Sequence, residues 1–209
     1  MTNREFYNSI KILCAEYKRK GIDINFNDLK PFSEKDIYNC LNDNEIAIPY
    51  NLIEFFSMYS GGIEISGELL PDMIVNVKSV TLKYINFRFS FKEVILAENS
   101  RREWVKNVYS DVNNDYDKVW HDKTGIMRIG DSDILAVNAN NEVIYLSHDG
   151  GSGHGTILGK SIEDFYDNLI NLRLLDLEYI CVKPICHDNS NYIDVKSNSY
   201  KMVRDMINI

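Results

Sequence analysis

The stretch IMRIGDSDILAVNANNEVIYL, residues 126–146, decides the fold class. It carries three short apolar runs, Ile126 to Ile129, Ile134 to Val137 and Val143 to Leu146, separated by Gly130-Asp131 and by Asn138-Ala139-Asn140-Asn141. Gly, Asp and Asn are turn residues, and apolar runs this short and this closely spaced fold back on one another as an antiparallel meander.

Upstream, residues 73–96 are rich in Val, Ile, Thr, Tyr and Phe, and Tyr84, Asn86, Arg88 and Ser90 alternate with Ile85, Phe87, Phe89 and Phe91, which predicts strands. Asn99 to Tyr109 reads as a helix, and Asp111 to Asp122 as a polar, acidic loop that includes Tyr116 and Trp120. Pro49 sits at a first helical turn, where its missing N–H is not needed. Leu52, Ile53, Phe55, Phe56 and Tyr59 follow before Gly61-Gly62 stops the helix. Ser33 caps a shorter helix carrying Ile37, Tyr38 and Leu41, and Phe6, Ile10, Leu13 and Tyr17 form one apolar stripe of an N-terminal helix over residues 3–20.

Downstream, a glycine-rich stretch runs from Gly150 to Gly155. Ser161 with Asp164 then caps a helix carrying Ile162, Phe165, Leu169 and Leu172. The tail from Leu174 is strand-like and then helical from Tyr200 to Ile207. No repeat is visible, and helices do not alternate with strands in the βαβ manner. The expectation is an α+β fold with a central antiparallel sheet flanked by helices, built as a single domain over residues 1–209.

With 44% hydrophobic and 26% charged residues the chain has ordinary globular composition. No run approaches the roughly 20 apolar residues of a membrane helix, and Met1-Thr2-Asn3-Arg4-Glu5 lacks the apolar segment of a secretory signal. A cytoplasmic protein is expected, with Cys14, Cys40, Cys181 and Cys186 as reduced thiols. The 23 Lys and Arg against 31 Asp and Glu give a net charge of -8, which repels a phosphate backbone and favours a basic protein partner. Neither a nucleic acid nor a membrane is expected as partner.

Three segments invite a chemical reading. Gly155-Thr156-Ile157-Leu158-Gly159-Lys160-Ser161 stands between a strand and a helix like a phosphate-binding loop, but the motif needs a glycine where His154 stands, and Gly155 leaves the loop one residue short. A turn, a short strand at Ile157-Leu158 and an N-cap are expected instead. Asp111 to Asp122 places oxygen side chains at several positions of a calcium-binding hand, yet Tyr116 replaces the turn glycine and Asp122 replaces the bidentate Glu, so a solvated acidic loop is the reading. Cys181, Cys186 and His187 lack a fourth ligand with zinc spacing and read as free groups near a sheet edge. His121, His148 and His154 have no Ser or Cys nucleophile in a recognisable motif beside them, and paired carboxylates such as Asp131 and Asp133 read as surface charge. No enzyme signature, metal or cofactor is assigned.

Two blocks of sequence carry a family resemblance. Ile48-Pro49-Tyr50, Leu52, Phe55-Phe56, Tyr59 and Gly61-Gly62 form the first. Trp120, Ile129-Gly130-Asp131, Ile134-Leu135-Ala136-Val137, Val143-Ile144-Tyr145 and Leu158-Gly159-Lys160-Ser161-Ile162-Glu163-Asp164-Phe165 form the second. In this order they resemble the SUKH superfamily, over roughly Phe32 to Leu172, with the N-terminal helix 3–20 and the extension 174–209 outside the match. The resemblance implies an α+β fold in a group that includes yeast cell-wall-synthesis regulators and bacterial immunity proteins, which neutralise toxins, often nucleases. The family has no catalytic residues to transfer. The resulting expectation is an immunity protein whose Asp111, Asp115, Asp117, Asp122, Asp131 and Asp133 face a basic toxin domain. A regulatory scaffold of the cell-wall type is the alternative, and a nucleotide-binding enzyme stands behind both.

Overall fold

A computed structural model describes residues 1–77, 80–130, 132–149, 153–175 and 192–206 of the chain. Helix α1 spans Asn3–Arg19 and is closed at its start by a reciprocal cap: the Thr2 hydroxyl accepts from the Glu5 N–H, and the Glu5 carboxylate accepts from the Thr2 N–H at 2.8 Å. Its predicted stripe, Phe6, Ile10, Leu13 and Tyr17, is buried. Ser33 caps α2 (Glu34–Asp43) through the Asp36 N–H. Helix α3 (Tyr50–Glu54) runs on into a π-helical turn, Phe55–Tyr59, that turns Phe55 and Phe56 into the core. Pro49 opens the first turn as expected: it is the N-cap, with ψ at 144°, and its carbonyl accepts from the Leu52 N–H at 3.0 Å.

A three-stranded antiparallel sheet takes strands β1 (Ile24–Leu29), β2 (Gly62–Glu68) and β5 (Tyr84–Ser90) in the order β1-β2-β5. Gly62 pairs with Ser90, and a side chain at Gly62 would meet the Ser90 Cβ at 2.2 Å, so this glycine lets two strands close up. A short hairpin, β3 (Val75–Val77) and β4 (Val80–Leu82), connects β2 to β5. The predicted strand character up to Leu96 is corrected: α4 runs from Phe91 to Asn107, because the Ser90 hydroxyl accepts from the Glu93 N–H and starts a helix in the middle of the alternating run.

The predicted meander is present as β6 (Lys123–Ile129), β7 (Asp133–Asn138) and β8 (Val143–Leu146), and β9 (Ile157–Gly159) extends it to a four-stranded antiparallel sheet ordered β6-β7-β8-β9. Ser161 caps α5 (Ile162–Asn171) through the Asp164 N–H, as expected. The C-terminal helix α6 is Asn198–Met206. Of the strand-like tail, Leu175 bridges to Ile85 and Tyr192 to Ile157, and residues 176–191, with Cys181, Cys186 and His187, lie outside the described residues. So do Asp131 and residues 150–152 of the glycine-rich stretch.

The two sheets are buried differently, and this accounts for their sequence patterns. The inner face of the first, with Ile63, Ile65, Phe87 and Phe89, joins α1, α3 and α5 in one core, where the Phe6 ring stacks on Tyr166 at 3.8 Å and Phe55 packs on Phe89 at 5.4 Å. Its outer face carries Asn25, Ser66, Asn86 and Arg88, hence the alternation. Strand β7 is covered on both sides: Leu135 and Val137 belong to the main core, while Ile134 and Ala136 belong to a second cluster with Ala97, Tyr109, Trp120, Ile144 and Leu146. Burial on both faces explains why Ile134 to Val137 reads as an unbroken apolar run.

Candidate functional site

The acidic segment between α4 and β6 is built around the second cluster. A 3-10 turn, Asp117–Trp120, ends in a wholly buried Trp120 whose ring stacks on Tyr109 at 4.7 Å and lies 5.8 Å from the His154 ring. Tyr116 stacks on His154 at 3.8 Å. The phenol of Tyr109 donates to the His148 carbonyl and that of Tyr116 to the Ser147 carbonyl, while His121 Nε2 donates to the Tyr109 carbonyl at 2.8 Å. Aromatic stacking and hydrogen bonding thus fix the loop from several directions onto the end of β8.

Within the loop the carboxylates are arranged by turn chemistry. Asp111 accepts from the Asn113 N–H at 2.9 Å, Asn114 accepts from the Tyr116 N–H at 2.8 Å, and Asp117 accepts from the Asp111 N–H at 3.2 Å. Asp115 projects with 93% of its side chain exposed and pairs with Lys118, whose hydrogen bond holds its carboxyl below the usual range. Asp111, Asp115 and Asp117 therefore share one loop. Asp122, at a backbone φ of 53°, stands at the loop's far end and lines a cleft. The reading of Asp133 as surface charge is corrected: its side chain is 15% exposed and accepts from the Tyr145 phenol, from the His148 N–H at 2.9 Å and from His148 Nδ1 at 2.7 Å. Asp131 lies outside the described residues.

His154 is locked in one tautomer. The Ser147 N–H donates to its Nδ1 at 3.1 Å, so Nε2 carries the proton and donates to the Tyr116 carbonyl at 3.0 Å. Burial lowers its pKa from the ordinary 6.5, against a smaller opposing effect from the Tyr116 carbonyl. A histidine whose folded pKa is depressed binds more protons unfolded than folded. Its contribution to stability is present above 6.5 and is lost as pH falls toward the folded value. We expect the unfolding free energy to fall between about pH 7 and pH 5. Urea unfolding followed across that pH range on His154→Phe, which keeps the ring contact and cannot titrate, should lose most of the slope seen in the unaltered chain; an unchanged slope would place the titration elsewhere.

Behind the loop lies a buried ion network on α4. Glu98 accepts from Arg101 Nε at 2.7 Å and Nη2 at 2.8 Å, from Arg102 Nε at 2.8 Å and from the Gly125 N–H at 2.7 Å. Burial pushes its carboxyl up, but these donors outweigh burial and the net shift is downward. Arg101 Nη1 donates to the Trp120 carbonyl at 2.6 Å, and Arg102 reaches the carbonyls of Asn44 and Glu45, so one carboxylate ties α4, the acidic loop, β6 and the α2–α3 connection together. A side chain at Gly125 would meet the Ala97 carbonyl carbon at 2.7 Å, which shows how tightly β6 lies on the helix.

Beside the network opens a cleft of about 550 Å³, lined by Ile48, Pro49, Arg101, Asp122, Lys123 and Val137 among others. Lys123 donates to the His121 carbonyl at 3.1 Å. Sequence reading missed this pair of cations. The spacing Glu98, Arg101, Arg102 was visible as a helical charge cluster, but such clusters are ordinarily solvated, and only the fold shows it buried.

The segment from Gly155 to Ser161 is turn, strand and N-cap: the Gly155 N–H donates to the Tyr145 carbonyl at 2.8 Å and the Thr156 N–H to the Gly153 carbonyl at 3.0 Å, which removes these amides from any phosphate. The buried Ser147 hydroxyl donates to Asp149 at 2.7 Å, and only its backbone reaches His154, so the two do not form a nucleophile and base. Among the described residues no group of three or more His, Cys, Asp or Glu side chains is placed to hold a metal ion, and no helix is long and apolar enough to cross a membrane. No protein-family model, curated protein or solved structure matches the chain.

Proposed function

We propose that this chain is an immunity protein of the SUKH type, which binds a toxin domain with a basic surface, such as a nuclease, and neutralises it by occupying that surface without chemistry of its own. The observation that carries the reading is the anchored acidic loop: Asp111 and Asp115 are exposed beside Val112, 59% exposed, and the half-buried Asp117 closes the loop, on a segment pinned by Tyr109, Tyr116 and Trp120, in a chain of net charge -8. A loop already ordered before binding gives up little conformational entropy on docking, and its charge steers a basic partner into register. The order of the Ile48 to Gly62 and Trp120 to Phe165 motifs supports the family part of the reading.

Reversing the loop charges, as Asp111→Lys, Asp115→Lys and Asp117→Lys together, should weaken binding of the toxin domain encoded beside this chain's gene by about 10-fold or more, mainly through slower association, and should flatten its salt dependence. Surface plasmon resonance at two ionic strengths reads both. Unchanged affinity and unchanged salt dependence would remove the loop from the interface.

A further inference from the structure

We infer that the cleft between the Ala47–Pro49 segment, α4 and the β6–β7 pair is a binding site for a small molecule with an apolar body and a carboxylate or phosphate head, the head held by Lys123 and Arg101. Its volume of about 550 Å³ falls in the range of small-molecule sites. Its lining includes the apolar Ala47, Ile48, Pro49 and Val137 together with Arg101, Asp122 and Lys123.

Local charge is what selects an anion. Glu98 supplies one negative charge to the two positive charges of Arg101 and Arg102, the latter 39% exposed and outside the cleft lining, so the network keeps one positive charge over. Lys123 adds another, and the lining offers only Asp122 against them. In a chain of net charge -8 this is a reversal of the general balance, confined to a concave site where low-dielectric walls focus the field. A guanidinium has five N–H donors. Arg101 uses three of them, two on Glu98 and one on the Trp120 carbonyl, which leaves two on a side chain only 11% exposed that lines the cleft. Those bonds fix the guanidinium in place before any ligand arrives. Lys123 engages one carbonyl and keeps two ammonium donors. Burial lowers the Lys123 pKa, Asp122 opposes this, and the charge of Arg101 adds to the lowering; an anion between the two cations relieves that repulsion.

The site stands apart from the toxin reading, and either can fail alone. The test is a titration of the full chain, followed by amide NMR shifts, with benzoate, phenyl phosphate and benzamide, which share one apolar body and differ in the head. We expect saturable shifts at residues 47–48, 122–124 and 137–141 with benzoate or phenyl phosphate, and whichever binds more tightly identifies the head group. Benzamide should bind at least about 10-fold more weakly. Lys123→Gln removes one cation, and Ala139→Glu puts a carboxylate on an exposed turn at the cleft rim without touching the core. Each should weaken the anion by about 10-fold or more. No saturable shift at these residues with either anion up to about 10 mM, equal binding of benzamide, or anion binding that survives both substitutions would overturn the assignment.

Discussion

Glu98→Ala should lower the unfolding free energy by about 3–5 kcal/mol, the range found when one partner of a buried ion pair is removed and the other is left behind. The substitution strands the charge of Arg101, which is 11% exposed, takes the acceptor from the Gly125 N–H and leaves the Arg102 side chain without its carboxylate partner one turn back on α4. Arg102→Ala should cost far less, about 1 kcal/mol, because Arg102 is 39% exposed and its loss leaves Glu98 paired with Arg101. Urea unfolding at pH 7 compares the two. The Glu98 carboxyl sits below its ordinary 4.5, so its contribution is fully present above that value and is lost as pH falls through the folded pKa. Equal, small losses in the two variants would mean that the network is ornamental to stability.

Trp120→Ala should cost a similar amount, about 3–5 kcal/mol, through the cavity left by a wholly buried indole. The indole is the surface on which Tyr109 and His154 stack, so its removal releases the acidic loop as well as weakening the core. Trp120→Phe separates the two effects. It keeps an aromatic face and discards an Nε1–H that has no hydrogen-bond partner among the described residues, and it should cost only about 1–2 kcal/mol. Hydrogen exchange at residues 111–118 should rise in the alanine variant and stay near its original rate in the phenylalanine variant. Slow exchange in both would show that the loop is held by its own turn bonds and not by the indole.

How much of this was legible in the chain depended on whether the burying surface was local. The meander, the Ser33, Pro49 and Ser161 starts and the stripe of α1 were readable because turn chemistry, capping and a single apolar face all act within a few residues. Strand β1, Asn-rich and buried on only part of one face, gave no such signal, and β2 was hidden because Gly61-Gly62 read as a helix stop when Gly62 also serves the close approach to Ser90. The start of α4 had a signal that the alternation masked: Ser90 three residues before Glu93 is a capping pattern inside a run of period two. The site was half legible. Asp111, Asp115 and Asp117 lie together because they are neighbours in sequence, whereas Asp133 is drawn inward by Tyr145 and His148, and Arg101 meets Lys123 only through the packing of α4 on β6.

The most direct measurement is co-expression of this chain with the toxin-like product encoded beside its own gene, scored for cell survival and for co-purification. We expect rescue with a stable complex that the combined charge reversal at Asp111, Asp115 and Asp117 weakens. Survival unchanged by the chain, with no complex formed, would contradict it.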